Sequence, residues 1–218
     1  MYSTVSYHAH LGGNLQLIPF LSEERLEVYK VVVGPIDNNV YVIRCSDTGD
    51  SILIDAANEH EKLLEISSEL KVMTIVETHG HWDHIGAVEQ LRNAGYSVGV
   101  SQDDAKMLPS YDYLIGDDAE FAVGKLRIRA IKTPGHTPGS VCFSIAGHNI
   151  LFSGDTLFPG GPGATHFEGG DFPTIINSIE TRLFSRFPGQ TIVLPGHGIP
   201  TTIGQESPKL QEWIARGW

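Results

Sequence analysis

The sequence has few cationic side chains for its length. Its 218 residues include 15 Lys and Arg against 26 Asp and Glu, which gives a formal net charge of −11. The cations are scattered, and no basic run occurs. Because binding to the phosphates of DNA or RNA requires clustered Lys and Arg, we expect no nucleic-acid partner. The acidic balance by itself indicates ordinary solubility.

Cysteine and long apolar runs are also scarce. Cys45 and Cys142 lie far apart in apolar surroundings without the spacing of a zinc clamp, so we expect two buried thiols. No apolar run reaches the roughly 20 residues of a membrane-spanning helix. Residues 1–20 lack the charged start and apolar stretch of a signal peptide. The sequence therefore predicts no membrane partner and a cytoplasmic location.

Length and even composition favour one domain over residues 1–218, with an N-terminal arm at 1–25. The run Tyr7-His8-Ala9-His10 in this arm is interpreted as polar chain rather than a metal site. Runs rich in β-branched residues predict strands at 26–33, 39–44, 51–54, 72–76, 97–100, 125–132, 141–145, 149–153 and 191–194. Apolar spacing predicts helices at 59–70, 84–93, 172–184 and after Ser207, with loops at 109–121 and 158–171.

Several predicted strands end in a loop that carries a His or an Asp, near residues 79, 136, 155 and 197. Proteins that combine strands and helices build their sites at the carboxyl ends of strands. Loops at one edge of a sheet can bring residues that are distant in sequence into one cluster. We therefore expect these loops to form a common site.

The densest of these loops is Thr78-His79-Gly80-His81-Trp82-Asp83-His84. His79 and His81 are two residues apart, so an extended loop projects both to one side. Asp83 and His84 are expected to open the next helix. A lone Asp is often a helix cap and a lone loop His is often a surface group. Three His and one Asp within six residues instead favour a site for zinc, iron or manganese.

Three further candidates lie in short loops, namely His136 in Thr-Pro-Gly-His-Thr-Pro-Gly, Asp155 in Ser-Gly-Asp-Thr and His197 in Pro-Gly-His-Gly. Seven ligands are too many for one tetrahedral zinc, so the sequence predicts two metals. The predicted ligands of the first metal are His79, His81 and His136. Those of the second are Asp83, His84 and His197. Asp155 is predicted to bridge the two.

The order His-x-His-x-Asp-His, His, Asp, His resembles the metallo-β-lactamase superfamily over about 26–205. The runs at 133–140, 152–158 and 195–204 look most like glyoxalase II and small glyoxalase-II-like hydrolases. The resemblance implies an α+β fold, a four-layer αβ/βα sandwich of two mixed sheets flanked by helices with the metals at one edge. Asp155 stands where β-lactamases usually have Cys or Ser. His81 stands where the flavodiiron branch has an acid.

The chain departs from the resemblance in two places. Glyoxalase II carries a C-terminal helical domain that grips glutathione, whereas twenty-one residues (218 − 197) follow His197 here. The thiol of the substrate therefore stays open. Many small relatives and the persulfide dioxygenases carry Gly-Arg-Ser/Thr-Asp after the bridging Asp. Gly163-Ala164-Thr165-His166 occupies this stretch, and a substrate contact by His166 also stays open.

The resemblance implies hydrolysis of a small-molecule thioester or related acyl compound by a hydroxide held between two divalent metals. Zinc is expected first, with iron or manganese as alternatives, and Asp83 is expected to orient the nucleophile and shuttle a proton. A homodimer stays open. The competing hypotheses are a lactonase, a metal-binding scaffold without turnover, and a mono-iron persulfide dioxygenase that uses only His79, His136 and Asp155.

Overall fold

The computed structural model describes residues 17–217, which form two large sheets and one small hairpin. The strands of the first sheet follow the chain order and are β1 (Leu21–Glu23), β2 (Leu26–Val33), β3 (Asn38–Cys45), β4 (Ser51–Ile54), β5 (Val72–Val76), β6 (Ser97–Ser101) and β7 (Tyr113–Ile115). The later strands are β8 (Glu120–Val123), β9 (Leu126–Lys132), β10 (Val141–Ile145), β11 (Ile150–Gly154), β12 (Leu157–Phe158), β13 (Gly161–Pro162), β14 (Ile192–Pro195) and β15 (Thr201–Thr202). The second sheet has the order β15-β14-β11-β10-β9-β8, and β12 pairs with β13.

Helices cover the outer face of each sheet. Those on the first sheet are α1 (His60–Glu69) and α2 (Val88–Asn93). The helical segments that follow are α3 (Phe172–Ser178), a π-helical continuation (Ile179–Phe184), α4 (Ile203–Glu206), a 3-10 turn (Ser207–Lys209) and α5 (Leu210–Arg216). Apolar side chains from these segments pack on the second sheet. No described helix combines the length and the apolar character needed to cross a membrane.

The alternation of side chains along the strands produces a sandwich. On β2, Leu26 and Val28 face the core between the two sheets, whereas Val31 faces the core under α1 and α2. Phe143 of β10 enters the central core, whereas its neighbour Cys142 packs under the helices of the second sheet. The four-layer α+β sandwich is therefore confirmed. Cys142 and Cys45 are both free and buried, as expected.

Four predicted segments differ from the structure. The second helix was expected over 84–93 but begins at Val88, because residues 82–84 form a turn that holds site residues. The expected loop at 109–121 contains β7 and the start of β8, and the loop at 158–171 contains β13. The expected arm at 1–25 contains β1, which pairs with β2 and completes the edge of the first sheet. Tyr7-His8-Ala9-His10 lies outside the described residues.

The topology gathers the functional loops at one edge. β4 and β5 are parallel neighbours, so the loops that follow them leave the first sheet on the same side. β9 and β11 are both antiparallel to β10, and β14 is parallel to β11, so these three strands also end at a common edge. Backbone hydrogen bonds join the two sheets there, from Val141 N to Thr78 O (2.8 Å) and from Asn39 N to Gly196 O (2.7 Å).

Candidate metal centre

The first group of donor atoms comes from His79, His81 and His136. His79 Nε2 lies 3.1 Å from His81 Nδ1, which lies 2.9 Å from His136 Nε2. Zinc–nitrogen bonds of 2.0–2.1 Å at tetrahedral angles separate donor atoms by about 3.3 Å. The three nitrogens therefore converge at nearly the spacing that a shared cation requires.

The second group comes from Asp83, His84 and His197. His197 Nε2 lies 3.2 Å from Asp83 Oδ2 and 3.3 Å from His84 Nε2. Asp83 Oδ2 and His84 Nε2 are 3.3 Å apart. This group consists of one carboxylate oxygen and two imidazole nitrogens, which is also a suitable donor set for a divalent cation.

Asp155 lies between the two groups. Its Oδ1 is 3.4 Å from His84 Nε2, and its Oδ2 is 3.6 Å from His136 Nε2 and 3.7 Å from His197 Nε2. Oδ1 is buried and has no hydrogen-bond partner. A buried carboxylate oxygen without a hydrogen-bond donor is costly unless another positive partner is available. The structure thus brings all seven predicted residues together, and these His and Asp groups fit a metal site.

Asp55 orients rings in both donor groups and is not among the residues predicted from the sequence. Its Oδ2 lies 2.8 Å from His84 Nδ1 and accepts a hydrogen bond from Thr78 Oγ1 (2.8 Å). Thr78 Oγ1 in turn lies 3.0 Å from His79 Nδ1. With Nδ1 of each ring bound in this way, Nε2 is left to face the centre. The available signal was its place in the sequence, because Asp55 directly follows β4 as Asp155 directly follows β11.

Asp104 is a second missed residue, and it fixes two loops relative to each other. This fully buried carboxylate accepts hydrogen bonds from Gly80 N (3.0 Å) and Thr137 Oγ1 (2.6 Å) through Oδ2, and from Gly139 N (2.7 Å) through Oδ1. Gly80 stands between two donor histidines, and Thr137 follows another. An acid in a turn of residues 102–108 gave no signal of this role in the sequence.

Asn38 is the third missed residue. Its Nδ2 donates a hydrogen bond of 2.8 Å to Asp83 Oδ2. Asp83 was expected in the first turn of a helix, but that helix is capped by Ala87 and the Asp83 side chain points into the site. The carboxylate is thus held from one side by Asn38 and faces His84 and His197 on the other.

The electrostatic environment differs between the two halves of the site. Burial, reinforced by neighbouring imidazoles, lowers the pKa of His79 well below its usual range. Burial acts in the same direction on His84, but surrounding carboxylates, Asp155 first, outweigh it and raise the pKa of His84 to about 10. Burial opposes ionisation of Asp83, yet the hydrogen bond with His197 and the other contacts hold its pKa below the usual range. These shifts favour a neutral imidazole at His79 and a positively charged imidazole at His84 beside the ionised Asp83.

A cavity of about 260 Å³ opens beside the donors. Its apolar walls are Ile36, Trp82 and Phe167. His166 is exposed and packs its ring against Phe167 with a centroid distance of 4.1 Å, and it does not line the cavity. The arrangement combines a cluster of metal-donor atoms with an adjoining space for a small molecule.

The comparisons with known proteins agree with this geometry. A model of the metallo-beta-lactamase superfamily matches residues 33–197. The hydroxyacylglutathione hydrolase GloC of Haemophilus influenzae is 35% identical over 184 residues, covering 73% of this chain and 85% of GloC. The BLEG-1 B3 metallo-beta-lactamase structure has 30% identity and a TM-score of 0.76, covering 83% of this chain and 96% of its own. TTHA1623, solved in a di-iron-bound form, has 30% identity and a TM-score of 0.73, covering 82% and 96%. The chain belongs to the metallo-beta-lactamase superfamily.

Proposed function

We propose that this protein is a hydrolase that uses two divalent cations to cleave a thioester. The observation that carries the proposal is the position of Asp155 between two separate donor groups. The first cation is assigned to His79, His81 and His136. The second cation is assigned to Asp83, His84 and His197. Asp155 is assigned to both.

Two cations held in this way would lower the pKa of a bound water towards neutrality and polarise the carbonyl of the substrate. Asp83 would hold the attacking water by accepting a hydrogen bond from it, because Asn38 fixes the carboxylate in place. In the overall reaction the oxygen of water joins the acyl carbon and the carbon–sulfur bond breaks. One proton goes to the departing thiolate and the other goes to solvent, with Asp83 as the carrier.

Similarity to the hydroxyacylglutathione hydrolase GloC supports thioesters as the substrate class. Mixed imidazole and carboxylate donors suit zinc, which we propose as the resident metal. The similar protein TTHA1623 in its di-iron-bound form makes iron the alternative to measure. The donor set alone does not separate the two metals, because imidazole binds both.

A second candidate function is hydrolysis of β-lactams. It is favoured by the similarity to BLEG-1, a B3 metallo-beta-lactamase. A β-lactam is also an activated carbonyl compound, so the same donors and the same cavity would serve both reactions. The two functions differ in the bond that is cleaved, which makes a direct comparison of substrates decisive.

The test combines metal analysis of the purified protein with rates on thioesters, lactones and β-lactams. We expect two metals per chain and the highest kcat/KM on a thioester. Asp155→Ala should lower both metal content and kcat, whereas Asp103→Ala, which changes an exposed Asp paired with Lys132, should lower neither. Unchanged metal content in Asp155→Ala would overturn the bridging assignment. A higher kcat/KM on β-lactams than on thioesters would replace the first function with the second.

A further inference from the structure

The cavity beside the metal centre has large apolar walls that stay exposed. Ile36, Trp82 and Phe167 line it and are 48%, 63% and 50% exposed. Single exposed apolar residues are common on protein surfaces, but a cluster of them in a concavity next to polar donors is typical of a small-molecule site. The metal donors do not account for the exposure of these three apolar side chains, which indicates that they contact a bound molecule.

The apolar walls are attached to the donors. The ring of Phe167 packs edge-on against the ring of His81, with a centroid distance of 5.4 Å. Trp82 follows His81 directly in the chain. The carbonyl oxygen of Ile36 lies 3.1 Å from His197 Nδ1. A group that occupies this cavity therefore lies within contact of atoms that we assign to the metals.

The size of the cavity limits what can enter it. A cavity of about 150 Å³ is large enough to bind benzene. The space here is about 260 Å³, which leaves room for a phenyl ring or a short branched chain together with the carbonyl to which it is bonded. A complete peptide-sized thiol with its acyl group would extend out of the cavity.

The charges of the cavity limit its occupant further. Among the residues that line it, none is Lys or Arg, and the acidic ones are Asp83 and Asp155. Both carboxylates are assigned to the cations, so a second anionic group at the far end of the acyl chain would lie among Ile36, Trp82 and Phe167 without a cationic side chain to pair with. An uncharged apolar group would instead remove the exposed surface of Trp82 and Phe167 from water, which is favourable.

We infer that this cavity binds the apolar acyl group of the substrate, aromatic or branched aliphatic and without charge. The inference rests on the proposed thioester hydrolysis. The acyl group remains bonded to the reacting carbon throughout the reaction, whereas the thiol departs. A wall that fixes the acyl group therefore also fixes the carbonyl beside the donors, and this contact can be maintained in the transition state.

The first experiment compares thioesters of one neutral thiol, N-acetylcysteamine, that carry phenylacetyl, acetyl or succinyl groups. We expect kcat/KM for phenylacetyl to exceed that for acetyl at least tenfold, and succinyl to be the poorest. Trp82→Ala and Phe167→Ala should each reduce the phenylacetyl-to-acetyl ratio at least fivefold. Met73→Ala, which alters an exposed apolar residue that does not line the cavity, should leave the ratio unchanged.

A second experiment needs no turnover. Calorimetry on the metal-loaded protein compares phenylacetate with acetate, which present the same carboxylate and differ in the phenyl ring. We expect phenylacetate to bind at least tenfold more tightly, and this difference to disappear in Trp82→Ala. The comparison isolates the cavity because the carboxylate contributes equally to both ligands.

The two experiments separate the inference from the function on which it rests. If thioesters are hydrolysed but the phenylacetyl thioester shows no advantage, or the succinyl thioester is preferred, the assignment of the cavity to an apolar acyl group is wrong. The proposed thioester hydrolysis still stands in that case. If no thioester is hydrolysed while phenylacetate keeps its Trp82-dependent advantage, the apolar site stands and thioester hydrolysis is wrong. Equal affinities for phenylacetate and acetate would also overturn the assignment of the cavity to the acyl group.

Discussion

Replacing Asp104 with Asn should disturb one half of the metal centre without touching a donor atom. The Asp104 carboxylate accepts three hydrogen bonds, from Gly80 N, Thr137 Oγ1 and Gly139 N. The Asn side chain keeps one acceptor oxygen but replaces the other with an NH₂ group. This NH₂ group then faces an N–H or O–H that had donated a hydrogen bond to the carboxylate. At least one buried N–H or O–H is therefore left without an acceptor, and the two loops lose part of their connection.

The expected magnitude follows from these contacts. A hydrogen bond to a charged group contributes about 1.5–3 kcal/mol, and a buried group left without a partner costs about 1–3 kcal/mol. We expect Asp104→Asn to lower the free energy of unfolding of the metal-free protein by about 3 kcal/mol. Changes in residues that support ligands typically weaken metal binding about 10- to 100-fold. The loss should fall on the cation assigned to His79, His81 and His136.

The assay is urea unfolding of the metal-free protein together with a competition titration against a chromophoric chelator, which resolves the two binding steps. Asp103→Asn is the matched control, because Asp103 is the adjacent residue, is exposed and pairs with Lys132 at the surface. Its stability and both affinities should match those of the unchanged protein. Equal weakening of both binding steps in Asp104→Asn, or no weakening of either, would refute the proposed role.

Three further predictions concern other parts of the chain. Asn tolerates the left-handed backbone of position 55 (φ 66°), so Asp55→Asn changes only the side chain that orients the rings of His79 and His84. It should weaken both metal-binding steps about 10-fold or more in the same titration. Gly196→Ala would place a Cβ 2.2 Å from the predicted bridging carboxylate and should lower metal content, whereas Gly116→Ala meets open space and should not. The side-chain hydrogen bond from Arg92 lowers the pKa of Asp112 to about 2. Since this folded-state pKa is depressed, the stability it contributes is present above about pH 4 and lost as pH falls towards 2. Arg92→Met should raise the Asp112 midpoint in an NMR titration; an unchanged midpoint would contradict the assignment.

The sequence predicts the central strands well because their signals are local. The predicted bounds 26–33, 51–54, 72–76 and 141–145 agree with the structure, since each run is apolar or β-branched and is stopped by turn residues. The seven candidate ligands were also found locally, from the spacing of His and Asp in loops after strands. Their convergence within the structure confirms the expectation of a common cluster, while their assignment as ligands stays a prediction.

The residues that support the site gave no comparable signal. Asp104 contacts Gly80, 24 positions away, and Thr137, 33 positions away. Such contacts depend on the packing of the two sheets, which a single sequence does not show. The wrong start of the second helix has a different origin. Asp83 and His84 were expected to open this helix, but the helix begins at Val88, and contacts with Asn38 and His197 hold the Asp83 side chain in the turn before it.

The buried carboxylates of Asp55 and Asp104 fix the positions of the loops that the two sheets bring together. Parallel strands bring the loops to one edge, but loops are free to shift unless their backbone is tied down. Asp55 links the end of β4 to the start of the histidine loop, and Asp104 links that loop to the one after β9 in the other sheet. Donor spacing therefore depends on both sheets being in place. A cation bound by residues from both sheets would be released when the sheets separate, so metal binding and the packing of the sandwich must stabilise each other.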